Sequence, residues 1–354
     1  MNKARVVKGF GLSLLSALLL VALISTHAFS AEKQFRVVGS WSNLTMYKQL
    51  EEPFWMKELP AATDQQLTAS MTNLGQIGFG GEAVLRQLGR GTFDVVHTVI
   101  NYVVSDSPEL AGLDFPVIAP DLDLAFEVAE AYRPIIDKYL QQNFNAKLLS
   151  IVPYPAQILF SRVEIGGLDD LRGKKIRASG WTTARFLDAA GATGVTLSFS
   201  EVPQSLQRGV VDGAVTGSLS GYSAGWGEVS NYVYPMPIGG WDHVIGVMNL
   251  DTWNSLTTSQ QELIQALINE KVEVPGWEVT LKETREGIEC LTGQECPYGR
   301  PNNLVEVPVT DADLEKARKL LIDEVIPAWA KTVRPAVIQE WNETIGKKVD
   351  IQIQ

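Results

Sequence analysis

This chain of 354 residues contains little of what several functional classes require. It has only 2 cysteines and 3 histidines, which excludes a zinc module built from several cysteines and a small domain held by many disulfides. Its 30 Lys and Arg residues are outnumbered by 41 Asp and Glu residues, so the net charge is −11. Without an excess of basic residues we expect neither nucleic acid nor an acidic membrane surface as a partner.

Long apolar runs are equally scarce, and the one that exists lies at the N-terminus. Lys3, Arg5 and Lys8 precede an apolar run over 14–24, and residues 28–30 place small side chains at positions −3 and −1 of a cleavage site. The apolar run is short for a membrane anchor. This order predicts a signal peptide over 1–30, cleaved near Ser30, and a secreted protein. Removing three basic and no acidic residues would leave a mature charge of −14.

The mature chain has an ordinary globular composition, with 45% apolar and 20% charged residues. Short β-branched runs alternate with amphipathic stretches, which predicts an α/β fold. The predicted strands are 35–38, 66–71, 93–99, 146–152, 157–161, 174–178, 196–199, 210–215 and 243–249. Helices are predicted over 47–59, 82–90, 123–142, 183–190 and 200–208, with capping boxes at 257–260 and 310–313. Two such units in one chain predict two lobes with a ligand cleft between them.

Enzyme signatures are scarce as well. The sequence has no HExxH motif or P-loop. A secreted hydrolase remains a remote alternative, because a Ser-His-Asp triad needs only one histidine and the mature chain keeps His97 and His243. The glycines of 78–81 precede a helix and are compatible with an anion site, although an ordinary turn explains them better.

Cys290 and Cys296 are separated by five residues, and in an oxidising compartment we expect them to form a disulfide. Such a short loop gains little chain entropy from a cross-link, so the bond would be a local staple.

One long motif is more specific. It consists of Gly166–Arg177 (GGLDDLRGKKIR), followed by 189–192 (AAGA), 199–203 (FSEVP) and 206–213 (LQRGVVDG). In order and spacing it resembles the substrate-binding proteins of tripartite ATP-independent periplasmic (TRAP) transporters. Three further segments are similar to that family: 91–94, 113–116 and 256–261.

The resemblance implies a two-lobed periplasmic binding protein with a cleft between the lobes and a long helix bridging both. It implies lobe I from 31–154 plus 243–282, and lobe II from 155–242 plus 283–354. Such proteins are not enzymes and need no cofactor. They capture a small organic acid and deliver it to membrane permease subunits driven by an ion gradient. We expect a monomer, with a dimer as the alternative.

The same resemblance assigns the ligand carboxylate to Arg177. A guanidinium presents a planar fork that matches a carboxylate with two hydrogen bonds. A buried arginine is costly unless an anion neutralises it, and the ligand would supply that anion. The alternative is an arginine paired with an internal acid.

Residues that differ from the family's usual pattern narrow the range of possible ligands. Gln157 stands where many members carry a second arginine, and Thr216 stands where many carry a carboxylate-binding asparagine. Members that bind 2-oxoacids through a metal have a carboxylate close to Thr216, which this chain lacks, so we predict no metal. One cation among neutral polar groups favours a monocarboxylate. A C4-dicarboxylate or a hydroxy- or oxo-acid is the alternative ligand.

Aromatic and polar residues complete the candidate site. Trp41, Trp181 and Trp241 lie at three strand-end loops, where tryptophan offers a large apolar face for a ring. We therefore predict an aromatic or bulky apolar monocarboxylate. The remaining candidate ligand-binding residues are Asn43, Phe79, Asn101 and His243. An ABC-transporter binding protein and a sensory binding protein share this architecture and remain alternatives for the transport role.

Overall fold

The computed structural model describes residues 33–78 and 81–354; the predicted signal peptide and Phe79 lie outside these residues. The strands are β1 (Lys33–Gly39), β2 (Leu67–Asn73), β3 (Val95–Val99), β4 (Ala146–Val152), β5 (Gln157–Ser161), β6 (Lys175–Ala178), β7 (Thr193–Thr196), β8 (Gly213–Gly217), β9 (Tyr232–Tyr234), β10 (Val244–Asn249) and β11 (Val305–Glu306). They form two sheets, with orders β2-β1-β3-β10-β4 and β11-β9-β5-β8-β6-β7. Each sheet mixes parallel pairs with antiparallel pairs.

Helices cover the sheets. They are α1 (45–62), α2 (Gly81–Gly89), α3 (Leu122–Phe144), α4 (Trp181–Ala189), α5 (Val202–Gln207), α6 (Ser218–Ser223), α7 (Leu250–Asn254), α8 (258–291), α9 (311–330) and α10 (335–349). Strands β3, β5, β8 and β10 are buried at every residue. Central strands become apolar throughout when helices cover both faces of their sheet. The predicted α/β fold class is confirmed.

Two segments carry the chain between the sheets. Residues 153–156 connect β4 to β5, and 235–243 connect β9 back to β10. The segments run side by side, since the amide of Tyr154 donates to Trp241 O at 2.9 Å and the amide of Gln157 donates to Gly240 O at 2.9 Å. The two crossing segments are therefore hydrogen-bonded to each other where they pass between the sheets.

The long helix α8 forms hydrogen bonds with residues from both halves of the fold. Near its middle, Trp277 Nε1 donates to Ile151 O of β4 at 2.9 Å. Further along, Ser218 Oγ at the start of α6 donates to Glu283 O at 3.2 Å. The predicted helix that bridges both halves is thus confirmed.

The C-terminal helices complete the core. Trp329 of α9 and Trp341 of α10 are fully buried, and both rings contact Phe115. Their indole nitrogens donate to the carbonyls of Pro108 at 2.7 Å and Gly112 at 2.9 Å. These bonds anchor the end of the chain beneath the segment that precedes α3, because a buried indole N–H needs an acceptor.

Several local predictions need correction. The strand predicted over 196–199 is wrong, because β7 ends at Thr196 and Ser198 begins the next helical turn in a capping box with Glu201. The strand predicted over 210–215 lies at Gly213–Gly217 instead. By contrast, the strands predicted over 146–152 and 157–161 and the capping boxes at Thr257 and Thr310 are confirmed.

The predicted disulfide between Cys290 and Cys296 is present, at the C-terminal end of α8. Within residues 33–78 and 81–354, none of the helices combines the length and the apolar character that a membrane crossing requires.

Candidate functional site

The candidate site lies beside the crossing segments, between residues contributed by both sheets. An outer cleft of about 670 Å³ opens to solvent there. Its walls combine aromatic rings with small polar groups. The described residues that line it include Trp41, Asn101, Tyr102, Ser179, Trp181 and Phe199. A cleft of this size is typical of small-molecule sites.

Behind the cleft lies a smaller inner chamber with about 10 Å³ of free space, enough for about one water molecule. Its walls belong to both halves of the fold. The described lining residues are Trp41, Leu44, Val99, Tyr102, Tyr154, Gln157, Arg177, Phe199, Thr216, Ser220 and Asp242. Trp41, Tyr102 and Phe199 line the cleft as well as the chamber. These three rings therefore separate the chamber from the cleft.

Arg177 is the cation of the chamber. It stands on β6 and is only 1% exposed. Its Nε donates to Leu197 O at 3.0 Å, and its Nη1 donates to Val215 O at 2.7 Å. The third guanidinium nitrogen, Nη2, is buried without a hydrogen-bond partner among the described residues. The backbone thus orients the side chain but leaves one strong donor for another acceptor.

Aromatic rings surround this guanidinium. Its Cζ lies 5.6 Å from the centre of the buried Trp226 ring, within the range of a cation–π contact. Phe199 packs between Trp226 and Trp41, with ring centres 5.2 Å and 5.5 Å away. Trp41 also contacts Tyr102 at 5.8 Å. A low-dielectric wall of this kind strengthens the attraction between Arg177 and an entering anion.

Asp242 is the acid of the chamber, and it is 6% exposed. Its Oδ1 accepts a hydrogen bond from Asn101 Nδ2 at 3.1 Å. Burial and then the neighbouring Asp114 carboxylate raise the pKa of Asp242 to about 6, although Asn101 and Arg177 oppose this increase. Burial also raises the pKa of Tyr102 to about 12, against the lowering effect of Arg177.

The structure brings together Arg177 and the two candidate ligand-binding residues that replace carboxylate-binding residues of the family. Arg177, Gln157 and Thr216 all line the inner chamber. Gln157 and Thr216 lie on the paired strands β5 and β8, and both are buried. The Gln157 amide donates to Pro155 O at 2.7 Å, which fixes its orientation. Trp41, Trp181 and Asn101 lie on the cleft, as predicted for a shared site.

Three other predicted residues do not reach this site. Trp241 is buried in the core, where its indole donates to Ala119 O at 3.0 Å. His243 is also buried, 3.5 Å from Asp114 and beside the ring of Trp277. Asn43 is exposed and lines a separate surface depression. Trp241 and His243 are therefore packing residues in this conformation.

The histidines bear on the hydrolase alternative. Of the described residues that line the cleft and the chamber, none is a histidine. His97 is a buried residue of β3, and its Nε2 accepts a hydrogen bond from Trp55 Nε1 at 2.8 Å. Burial lowers the pKa of His97 to about 4. Within the described ranges no group of three or more His, Cys, Asp and Glu side chains is arranged to hold a metal ion.

Several chamber residues were missed by the sequence prediction. Asp242 is the middle residue of Trp241-Asp242-His243, and the prediction selected its two neighbours instead. Phe199 belongs to the recognised motif, so its position was available as a signal. Tyr154 and Trp226 carry no local signal, because only the packing of the two sheets brings them to Arg177.

Two linked α/β layers with a buried cation behind a cleft define a ligand-binding protein of the two-lobed class. Comparison with protein families agrees, since the family described as bacterial extracellular solute-binding protein, family 7, matches residues 40–287. This chain belongs to that family. It is a solute-binding protein and not an enzyme, and the TRAP-type resemblance of its long motif is confirmed.

Two curated relatives show the extent of the likeness. The uncharacterized protein YiiZ of Salmonella typhimurium is 29% identical over 222 residues, covering 60% of this chain and 65% of YiiZ. The ectoine-binding periplasmic protein TeaA of Halomonas elongata is 25% identical over 203 residues, covering 56% of this chain and 59% of TeaA. The chain thus matches less than two thirds of the length of each relative.

A solved structure extends the likeness to nearly the whole fold. A TRAP periplasmic solute binding protein from Desulfovibrio salexigens, with bound orotic acid, superposes with a TM-score of 0.79. The alignment covers 90% of this chain and 98% of that protein at 20% identity. At this identity the comparison establishes the two-lobed fold.

Proposed function

We propose that this chain is the periplasmic substrate-binding component of a TRAP transporter. It captures a small organic acid through a contact between the ligand carboxylate and Arg177, and it delivers the acid to an ion-driven membrane permease. The observation that carries this proposal is the buried Nη2 of Arg177, which lacks a partner among the described residues although the other two nitrogens are satisfied. A buried unpaired donor is costly, so a ligand that supplies an acceptor gains affinity.

The walls of the site support an aromatic or bulky apolar monocarboxylate. Among the described residues that line the chamber and the cleft, Arg177 is the only cation. A second carboxylate of a dicarboxylate ligand would therefore lack a charged partner. Trp41, Trp181, Tyr102 and Phe199 provide apolar faces for a ring.

Binding requires movement, because the free space beside Arg177 holds only about one water molecule. We propose that lobe I (31–154 plus 243–282) and lobe II (155–242 plus 283–354) separate about the crossing segments and then close over the ligand. Ligand addition should then contract the protein in small-angle scattering, and an unchanged profile with ligand bound would count against this movement.

The ligand class can be tested with the purified protein. Mass spectrometry of co-purifying small molecules identifies candidate acids, and a thermal-shift panel ranks them, because a ligand that binds the folded state raises its melting temperature. We expect benzoate, phenylacetate and phenylpyruvate to stabilise the protein more than succinate or malate. Stabilisation by succinate or malate alone would refute the proposed ligand class.

A further inference from the structure

Asp242 contributes little to the fold beyond side-chain contacts. Among the described residues its carboxylate accepts a hydrogen bond at 3.1 Å from the side chain of Asn101, and the Ser179 side chain acts with Asn101 to oppose the rise in its pKa. Its φ of 47° is in the left-handed region, which asparagine adopts as readily as aspartate. Neighbouring Asp114 differs, because its Oδ1 accepts the Trp241 backbone amide at 3.0 Å and so shapes the crossing segment.

Asp242 is also not the partner of Arg177. Both side chains line the inner chamber, yet no ion pair within 4.0 Å includes either of them among residues 33–78 and 81–354. Arg177 is oriented by the carbonyls of Leu197 and Val215 without help from a carboxylate. The chamber therefore presents a positive and a negative group separately.

The charges of Arg177 and Asp242 together disfavour the binding of a ligand that carries only a negative charge. With Arg177 and Asp242 both ionised, the chamber is electrically neutral, and an added carboxylate would leave it with a net negative charge in a buried space. Asp114 lies behind the same segment and adds to the repulsion, since its carboxylate raises the pKa of Asp242. A ligand that brings its own N–H donor or positive charge removes the penalty.

We propose that Asp242 determines specificity by accepting a hydrogen bond from a nitrogen of the ligand, so that the ligand is a ring-containing carboxylic acid with an N–H or ammonium group. This inference rests on the proposed function, because Arg177 must hold the carboxylate. The rings of Trp41 and Tyr102, which line the same chamber, favour a cyclic nitrogen compound, since aromatic faces attract a neighbouring positive charge.

The test uses matched pairs of acids that differ only in the ring nitrogen. Pipecolate is compared with cyclohexanecarboxylate, and proline with cyclopentanecarboxylate, by calorimetry on the full mature protein. We expect the nitrogen-containing member of at least one pair to bind about 10- to 100-fold more tightly, the range for a hydrogen bond to a charged group. In Asp242→Asn this preference should disappear, while the carbocyclic acid binds equally or better.

Asp114→Asn is the matched control, because it neutralises a buried carboxylate behind the same segment that does not line the chamber. It should keep the preference for the nitrogen-containing acids. Equal affinity within both pairs, unchanged in Asp242→Asn, would overturn the role of Asp242 while leaving acid capture by Arg177 intact. If no acid of either pair binds the unmodified protein and the thermal-shift panel is also silent, the proposed function fails, and this inference fails with it.

Discussion

Two arginines in this protein, the partly buried Arg133 and the buried Arg177, have opposite kinds of partner. Arg133 on α3 contacts the carboxylates of Glu130 and Glu273, and the Glu273 side chain also accepts the amide of Ile151 at 2.8 Å. Burial lowers the pKa of Arg133, but Glu273 and Glu130 more than compensate, so its pKa is raised. Arg177 on β6 has no carboxylate partner among the described residues.

This difference distinguishes an arginine that stabilises the fold from an arginine that is available to a ligand. The partly buried Arg133–Glu273 ion pair holds α3 against α8 and β4, because breaking it would leave the buried Glu273 carboxylate without its cation. Arg177 is held in place by carbonyl groups, which satisfy part of its hydrogen-bonding capacity and do not neutralise it. The remaining charge is available to an anion that enters from the cleft. Substitutions at the two positions should therefore affect different measurements.

The largest effect is expected from Arg177→Met, which keeps much of the side-chain volume. Affinity for the strongest-binding acid of the panel should fall at least 1000-fold, about 4 kcal/mol, the range for removing one member of a buried charged pair. Calorimetry measures the loss, and urea unfolding of the ligand-free protein should show a smaller change in stability than Arg133→Met causes. Retained affinity would refute the carboxylate contact.

Arg133→Met should show the reverse behaviour. It leaves the buried Glu273 carboxylate without its cation, so the free energy of unfolding should fall by about 3 kcal/mol while ligand affinity stays unchanged. Lys319→Met is the control, because the Lys319–Asp323 ion pair is exposed and its loss should leave the free energy of unfolding nearly unchanged. If Arg133→Met and Lys319→Met had the same free energy of unfolding, the stabilising role of Arg133 would be refuted.

Removing the disulfide should have an intermediate effect on the free energy of unfolding. The double substitution Cys290→Ala with Cys296→Ala opens a short loop at the end of α8, which should cost about 2 kcal/mol by the chain-entropy relation. Urea unfolding measures this cost. Ligand affinity should stay within about twofold of the unmodified protein, and a larger loss would connect the disulfide to the site.

The smallest effects are expected from substitutions of two tryptophans, one at the site and one in the core. Trp41→Phe keeps a ring at the boundary between cleft and chamber but removes contact area, so affinity should fall about threefold. Trp241→Phe is the matched substitution in the core. It removes the bond to Ala119 O and should lower stability by about 1 kcal/mol with no change in affinity. If Trp241→Phe weakened ligand binding, Trp241 would have to be counted among the ligand-binding residues.

Much of the site could be predicted because its residues lie within local motifs. Arg177 ends a recognisable strand motif, and Gln157 and Thr216 occupy positions defined by their spacing from it. Local chemistry also located helix starts at Thr257 and Thr310, where the capping box is formed within four consecutive residues. The helix predicted over 200–208 in fact begins earlier, because Ser198 forms a capping box with Glu201.

Side-chain direction was not predictable at the crossing segment. Gly240 has a φ of 71°, and an added Cβ there would lie 2.3 Å from Asp114 Oδ1, so the chain can turn closely past that side chain. This turn sends Trp241 into the core and leaves Asp242 on the wall of the chamber. The sequence predicted Trp241 and His243 as ligand-binding residues, whereas Asp242 is the member of this tripeptide that lines the chamber.

The sequence by itself determined the α/β class, the solute-binding family and the arginine that carries the positive charge, because these depend on periodicity and on residues close together in the chain. Only the tertiary structure decided that Arg177 lacks a carboxylate partner within residues 33–78 and 81–354, that Trp226 and Phe199 lie beside it, and that Asp242 shares its chamber. Those features depend on contacts between two sheets that are distant in sequence. Charge separation in a buried space is a property of that packing.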